Sequence, residues 1–323
     1  MARSLFMPEM TNLEVREYLE GGGRTVIVPV GSTEDHGDHG PLWTDVYIPM
    51  EVAKRAAPEL EALVGPPVPF GLAADHRGAT GLVYLRLETF VALLRDVCVT
   101  LAEAGFRRIV LLNGHYVNTW AMQYGATQFF DELPDGVRVY PFAYWQALRP
   151  EEAEAYLSGS AGLHANVGET SIMLAIDPRL CDMERVRDYE PELGELRTNP
   201  LALLDPVFLA TPGSFWSLLE DGGGTWGRPS ESTAEKGEEF LGWCSTAVVN
   251  LFRDMESVHD RIEPGYRRAA RRRGSSSPSS VGASWAPRTP GTMRSSATAC
   301  ASNGCAPAPA SAPPRSRTRW APR

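Results

Sequence analysis

The chain has 323 residues, of which 43% are apolar and 22% are charged, so it can bury a sizeable core, and most of it is neither disordered nor fibrous. Its longest apolar stretches, such as residues 246–252, fall short of the roughly 18–20 residues needed to span a bilayer. The N-terminal segment carries one positive charge and lacks the apolar core of a secretory signal, so a cytoplasmic location is the default expectation.

Charge is distributed unevenly along the chain. Eleven of the 31 basic residues lie in residues 267–323, which contain no acidic residue and no Leu, Ile, Phe or Tyr. Because such a segment cannot bury a core, we predict one domain over residues 1–266 and a disordered tail over residues 267–323. The tail is either an electrostatic arm or the product of a frame slip. The other 20 basic and 40 acidic residues give the domain a net charge of −20, which argues against nucleic acid as its partner.

Apolar strands alternate with amphipathic helices along the domain. A capping box from Thr11 to Glu14 predicts a short helix, which the glycines at 21–23 end, and residues 25–30 follow as a buried strand. The pattern predicts further strands at residues 63–70, 108–112 and 137–142, and further helices at 45–57, 89–104, 118–130, 168–176 and 232–255. Residues 143–166 are predicted as a loop, and residues 190–224 as a surface excursion or an oligomer contact.

The predicted strands are apolar throughout, which is typical of a mostly parallel sheet covered by helices on both faces. The fold class is therefore a single three-layer α/β/α domain. Ligands of such folds bind at the carboxyl ends of the strands, so the loops at residues 31–45 and 113–118 are the expected functional region.

Carboxylates and imidazoles crowd the loop that follows the first strand. Glu34 and His36 alternate on an extended segment, so both can face one ion, and Asp45 can cap a helix with one oxygen and bind metal with the other. The nearby Asp38 and His39 are either further ligands or surface residues. Mixed nitrogen and oxygen donors favour zinc or manganese over calcium, and an open zinc position supplies hydroxide near neutral pH. Cys98, Cys181 and Cys244 lack C-x-x-C spacing, which argues against a cysteine-built zinc site.

Residues 29–45, PVGSTEDHGDHGPLWTD, resemble the signature of the creatininase (creatinine amidohydrolase) family. Further segments resemble the family's other motifs in the same order: HRGATG at 76–81, NGHYVN at 113–118, HANVGETS at 164–171, and GTWGRP at 224–229 with AEKG at 234–237. The resemblance covers roughly residues 5–256 and excludes the tail.

The resemblance implies a metal-dependent hydrolase, often a homohexamer, with a three-layer α/β subunit and a pair of divalent ions. Carried over to this sequence, Glu34, Asp45 and His115 would hold one ion, while His36 and the bridging Asp45 would hold the second. The implied ion is Zn²⁺, with Mn²⁺ or Fe²⁺ as alternatives. The implied substrate is a small molecule, and the implied reaction is attack of metal-activated water on the carbonyl of a cyclic amide.

The sequence departs from creatininase itself at one metal ligand. Where that enzyme has a glutamate two residues after the metal histidine, this chain has Val117, and valine cannot bind a metal. Either the enzyme runs on one ion, or another carboxylate completes the second site. Glu169 is the candidate, both as a ligand and as a catalytic residue; the alternative is a helix-capping or dipole role.

The predicted substrate pocket also differs. The stretch before His164 lacks the tryptophan and the acidic residue that creatininase has there, so His164 becomes the candidate general acid or base, or oxyanion partner. Tyr116, Trp145 and His76 are the candidate substrate-binding residues, with ordinary packing as the alternative for the two aromatics. These departures leave open another small cyclic substrate, such as a lactam or a cyclic polyol-derived ketone, and a non-catalytic binding protein on the same fold.

Overall fold

The computed structural model describes residues 4–157, 161–195, 207 and 210–274. The described strands are β1 (Thr25–Val30), β2 (Leu63–Val64), β3 (Arg108–Asn113), β4 (Arg138–Ala143), β5 (Gly162–His164) and β6 (Trp226–Gly227). The described α-helices are α1 (Asn12–Glu20), α2 (Thr44–Ala56), α3 (Leu87–Ala104), α4 (Asn118–Phe129), α5 (Pro150–Tyr156), α6 (Val167–Ile176), α7 (Ser214–Leu219) and α8 (Ala234–Gly274).

Four parallel strands form the central sheet in the order β2-β1-β3-β4. The strand order reverses beside β1, because the chain crosses from β2 on one side of β1 to β3 on the other. In open α/β sheets the crevice at such a reversal, at the carboxyl ends of the strands, is where ligands bind. Here the loops that follow β1 and β3 meet at that crevice.

Each face of the sheet is covered by its own apolar cluster. Ile27, Val110 and Leu112 point into a cluster completed by α2, α6 and α8. Val28 and Leu111 point the other way, into a cluster completed by α1, α3 and α4. This alternation of neighbouring side chains is what a sheet buried on both faces requires. The predicted three-layer α/β/α fold is confirmed by this arrangement.

A predicted strand and a predicted loop are wrong in extent. The strand predicted at residues 63–70 ends at Val64, and Val68 makes an isolated bridge to Val30. The prolines at 66, 67 and 69 have no N–H to donate, so they cannot continue a ladder. Residues 143–166 are not a loop throughout: they contain α5, with a proline at its start, and β5, which pairs antiparallel with β6.

The last helix is longer than the predicted 232–255. It begins two residues later, at Ala234, where Thr233 Oγ1 accepts a hydrogen bond from the Lys236 N–H (3.2 Å), and it continues to Gly274. The buried Arg138 of β4 anchors the first of the extra turns through ion pairs to Glu256 (3.0 Å) and Asp260 (2.8 Å). The helix thus includes the first residues of the predicted tail. The remainder of that tail, residues 275–323, lies outside the described residues. The predicted domain boundary stays a prediction.

Residues 196–206 and 208–209 of the predicted surface excursion also lie outside the described residues, and α7 follows them. Among the described helices none is long and apolar enough to cross a membrane.

Candidate metal centre

Five buried ionisable residues meet at the carboxyl ends of β1 and β3. Glu34 and His36 lie in the loop after β1, Asp45 is in the first turn of α2, His115 follows β3, and Glu169 is in the first turn of α6. Each of them is at most 8% exposed. Because β1 and β3 are neighbours in the sheet, their ends bring together residues as distant in sequence as Glu34 and His115.

Asp45 stands at the centre of the group and uses both of its oxygens. Its Oδ1 is 3.1 Å from His36 Nε2, and its Oδ2 is 2.9 Å from His115 Nδ1. Glu34 Oε2 is 3.1 Å from the same His115 nitrogen. Asp45 thus contacts one imidazole through each oxygen, and its carboxylate belongs to two of the candidate ligand sets.

The His115 ring is held in place from its far side. Its Nε2 lies 2.5 Å from the Leu72 carbonyl oxygen, which can only accept a hydrogen bond, so Nε2 carries a proton. This leaves Nδ1 directed at Glu34 and Asp45. Metal-binding histidines commonly donate their second N–H to a carbonyl in this way, which fixes the ring orientation.

The donor set fits divalent cations. Within the described residues, three sets of three donor atoms lie within 4.8 Å of one another: Glu34, Asp45 and His115; His36, Asp45 and Glu169; and Glu34, His36 and His164. Buried Glu169 Oε2 has no hydrogen-bond partner among the described residues. A buried, unpaired carboxylate oxygen is costly, and a cation in the second set would pair it.

Electrostatics also favour positive charge at this position. Burial opposes ionisation of His36, but the carboxylates of Asp45 and Glu169 outweigh burial and raise the pKa of His36 to about 10. Burial raises the pKa of Glu169 to about 7, since His36 offsets only part of that cost. Three carboxylates thus share one buried site, and divalent ions are the partners that such sites bind.

The predicted catalytic and substrate-binding histidines lie beside these donors. His164, at the end of β5, is 5% exposed, and its ring centroid is 4.6 Å from that of His36 and 4.7 Å from that of His76. Its Nε2–H donates to the Asp35 carbonyl (2.7 Å). His76 lies in a 3-10 turn, Ala74–His76, with Nε2 3.6 Å from Glu34 Oε1. Burial and the two neighbouring imidazoles hold the pKa of His164 well below its usual value.

The two predicted aromatic pocket residues have different environments. Tyr116 is 39% exposed beside His115, whereas Trp145 packs edge-on against Tyr144 (4.8 Å between centroids) and against the apolar cluster of α2, α6 and α8. Trp145 therefore makes the packing contacts that the alternative interpretation predicts. A substrate-binding role for Tyr116 or Trp145 stays a prediction. His39, predicted as a ligand or a surface residue, is buried, and its Nε2 contacts Thr170 Oγ1 (3.0 Å).

Sequence reasoning missed two residues that shape the centre. Asn118 joins the loops that carry the donors, because its Nδ2 donates to the Gly31 carbonyl (3.0 Å) and its Oδ1 accepts from the Leu72 N–H (2.9 Å). Its position in the NGHYVN motif was the available signal. Phe215 of α7 contacts the rings of His76 and His164, and no motif in its segment marks it.

Gly114 makes a close contact that the centre needs. A Cβ at this position would lie 2.2 Å from the Asp45 carbonyl oxygen and 2.6 Å from Pro49 Cγ, so α2 would have to move. We expect Gly114→Ala to lower the free energy of unfolding by about 1–3 kcal/mol in urea titrations. Gly242→Ala is the matched control: nothing lies within 4 Å of its added Cβ on α8, so stability should be unchanged or rise. Equal effects of the two substitutions would contradict this close contact.

A buried cluster of carboxylates and imidazoles at the carboxyl edge of a parallel α/β sheet is typical of metal-dependent hydrolases. The sequence model of the Creatininase family, described as creatinine amidohydrolase, matches residues 8–252. The chain belongs to the creatininase family of hydrolases.

Relatives in this family carry several activities in their names. The chain is 29% identical over 268 residues to the creatinine amidohydrolase of Pseudomonas putida (79% of this chain, 98% of the relative). It is 33% identical over 233 residues to the mycofactocin precursor peptide peptidase of Mycolicibacterium smegmatis (69% and 83%). It is 27% identical over 270 residues to the 3-dehydro-scyllo-inosose hydrolase of Thermotoga maritima (78% and 83%).

Solved creatininase structures share the fold. A manganese form superposes with a TM-score of 0.65 at 29% identity, covering 78% of this chain and 99% of the other. A Zn–Zn form of a creatininase variant gives a TM-score of 0.63 at 28% identity, covering 79% and 99%.

Proposed function

We propose that the chain is a metal-dependent hydrolase that opens a small cyclic amide, creatinine-like in size, and that Asp45 would serve as a ligand to each of two divalent ions. The observation that carries this proposal is the division of the Asp45 carboxylate, with one oxygen 3.1 Å from His36 Nε2 and the other 2.9 Å from His115 Nδ1. Glu34 would complete the first ion's ligands, and Glu169 those of the second. Zn²⁺ is the proposed ion, with Mn²⁺ and Fe²⁺ as alternatives.

When bound, the ions would supply a nucleophilic water of lowered pKa and polarise the substrate carbonyl. The chain's own residues prepare the site for that chemistry. Asp45 fixes the separation of the two ligand sets, the Leu72 carbonyl orients His115, and burial of all five proposed ligands keeps bulk water from competing for them.

His164 is the proposed proton-transfer residue. Its Nε2–H is committed to the Asp35 carbonyl, so Nδ1 carries the lone pair that can accept a proton and later donate it to the leaving nitrogen. The low pKa of the ring keeps it neutral before reaction, as a general base must be. Glu169 is proposed here as a ligand, and its catalytic role is to hold the second ion.

The proposed substrate class is supported by the names of two relatives. Creatinine is the first candidate because the Pseudomonas relative is named for it. The Thermotoga relative is named for a cyclic polyol-derived ketone, which keeps another small cyclic substrate as the second candidate. The homohexamer and the cytoplasmic location stay predictions.

Metal removal and a substrate panel test the proposal together. Dialysis against a chelator should abolish hydrolysis, and added Zn²⁺, Mn²⁺ or Fe²⁺ should restore it, measured by NMR on creatinine, 2-pyrrolidinone, a cyclic polyol-derived ketone and a short peptide. We expect the highest kcat/KM for a cyclic amide. A metal-replete protein that hydrolyses none of them would favour the binding-protein alternative, and a preference for the ketone or the peptide would overturn the substrate class.

A further inference from the structure

An aromatic ring from a distant part of the chain covers the histidines of the site. Phe215, in the first turn of α7, lies edge-on to His76 (5.1 Å between ring centroids) and to His164 (5.7 Å). The Phe215 side chain is 8% exposed. The residue that we propose for proton transfer therefore has an apolar neighbour on the α7 side, in addition to the polar donors of the metal centre.

The backbone of α7 is fixed to the turn that carries His76. The Gly213 N–H donates to the Ala74 carbonyl (2.8 Å), and Trp216 packs so closely on Gly78 that an added Cβ there would lie 2.6 Å from Trp216 Cδ1. These contacts hold Phe215 and Trp216 against the turn. The position of the Phe215 ring over His76 is thus set by the backbone and not by its side-chain torsions alone.

Phe215 is also supported from behind. Its ring stacks on Trp226 (6.1 Å, 29° between planes), and Trp226 is the cross-strand partner of His164 in the β5–β6 pair. Phe215, Leu219 and Trp226 form a small apolar cluster separate from the two clusters that cover the sheet. A ring held between an indole and two imidazoles is a rigid wall, which can select a ligand by shape.

We propose that Phe215 is a specificity-determining residue whose ring forms the apolar wall of the substrate pocket beside His164 and limits access to the two histidines. This inference rests on the proposed hydrolase function. The loop before His164 contains no aromatic residue between Tyr156 and His164, so α7 supplies a wall that this loop does not. An apolar wall beside a few polar donors is the usual lining of a small-molecule pocket.

Two measurements on metal-replete protein test whether Phe215 forms this wall. The first is the rate at which diethyl pyrocarbonate modifies His164 and His76, followed by peptide mass spectrometry. Phe215→Ala should raise both rates about tenfold. The second is steady-state kinetics on the panel compound that is hydrolysed fastest: Phe215→Leu should raise KM about tenfold with kcat within about threefold, the size of effect expected for an apolar pocket contact. Metal content should stay unchanged in both variants.

Phe130→Leu and Phe130→Ala are the matched controls, because Phe130 is 43% exposed at the far end of α4. They should leave both readouts at the wild-type values. The inference would be overturned if the modification rates and KM stayed unchanged in the Phe215 variants. It would also be overturned if the variants lost metal together with activity, because Phe215 would then be a structural residue. If no panel compound is hydrolysed, the proposed function fails, and the modification rates still decide whether Phe215 limits access. If Phe215→Ala does not fold, Phe215→Leu carries both measurements.

Discussion

Asp45→Asn is expected to remove both metal ions and to abolish hydrolysis. The Asp45 carboxylate takes part in both ligand sets, one through each oxygen. The uncharged amide of asparagine cannot take the place of a carboxylate that binds both ions. Loss of metal-supplied charge stabilisation removes several kcal/mol from the transition state, so kcat/KM should fall by about a thousandfold or more. Elemental analysis of protein purified without chelator should give about two metal equivalents in the wild type and close to none in the variant.

Asp38→Asn is the matched control from the same loop. The Asp38 side chain is 51% exposed and lies 3.8 Å from an Arg187 nitrogen, away from the donors of the centre. Its metal content and activity should equal those of the wild type. Two equivalents retained in Asp45→Asn would show that the carboxylate does not bridge, and the assignment of the centre would then be wrong. His115→Ala should also lose metal and activity together, since its Nδ1 belongs to the first set.

The sequence predicted those parts of the fold that depend on local pattern. β1 and β3 are runs of apolar residues whose bounds differ from the predicted ones by at most one residue, and the capping box at Thr11 forms as predicted. The segment at residues 150–156 was missed although Pro150 followed by two glutamates is a helix-start pattern. The β5–β6 pair joins residues more than sixty positions apart, and no local pattern specifies such pairing.

The candidate site was predictable to a different degree for each residue. Glu34, His36, Asp45 and His115 lie in recognisable motifs, and the parallel pairing of β1 with β3 brings those motifs together. Phe215 was not predictable, because its contacts depend on how α7 packs on the turn at residues 74–78. Arg138 shows the same limit: its sequence neighbours predict a strand, while its ion pairs with α8 arise only in the folded protein.

Glu169→Gln is expected to lower the metal content from about two equivalents to about one. The Glu169 carboxylate belongs to the donor set with His36 and Asp45, and Val117, half-buried at the start of α4, offers no ligand in its place. The capping alternative is already served by another residue, because the Asn166 side chain accepts the Glu169 N–H (2.9 Å). Glutamine keeps the size of the side chain but lacks the charge that balances a divalent ion, so the second ion should be lost while the first remains.

Activity measurements separate two interpretations of a protein that has lost the second ion: both ions take part in the reaction, or one ion suffices. If both ions take part in the reaction, Glu169→Gln should lower kcat by about a hundredfold, the effect of losing one charge-stabilising contact, with unfolding in urea close to that of the wild type. Val117→Glu in the Glu169→Gln background places a carboxylate where creatininase itself has one, and should return the second equivalent. Metal content equal in the wild type and Glu169→Gln would limit Glu169 to an electrostatic role at the start of α6, because a ligand of the second ion cannot lose its charge without weakening that ion's binding.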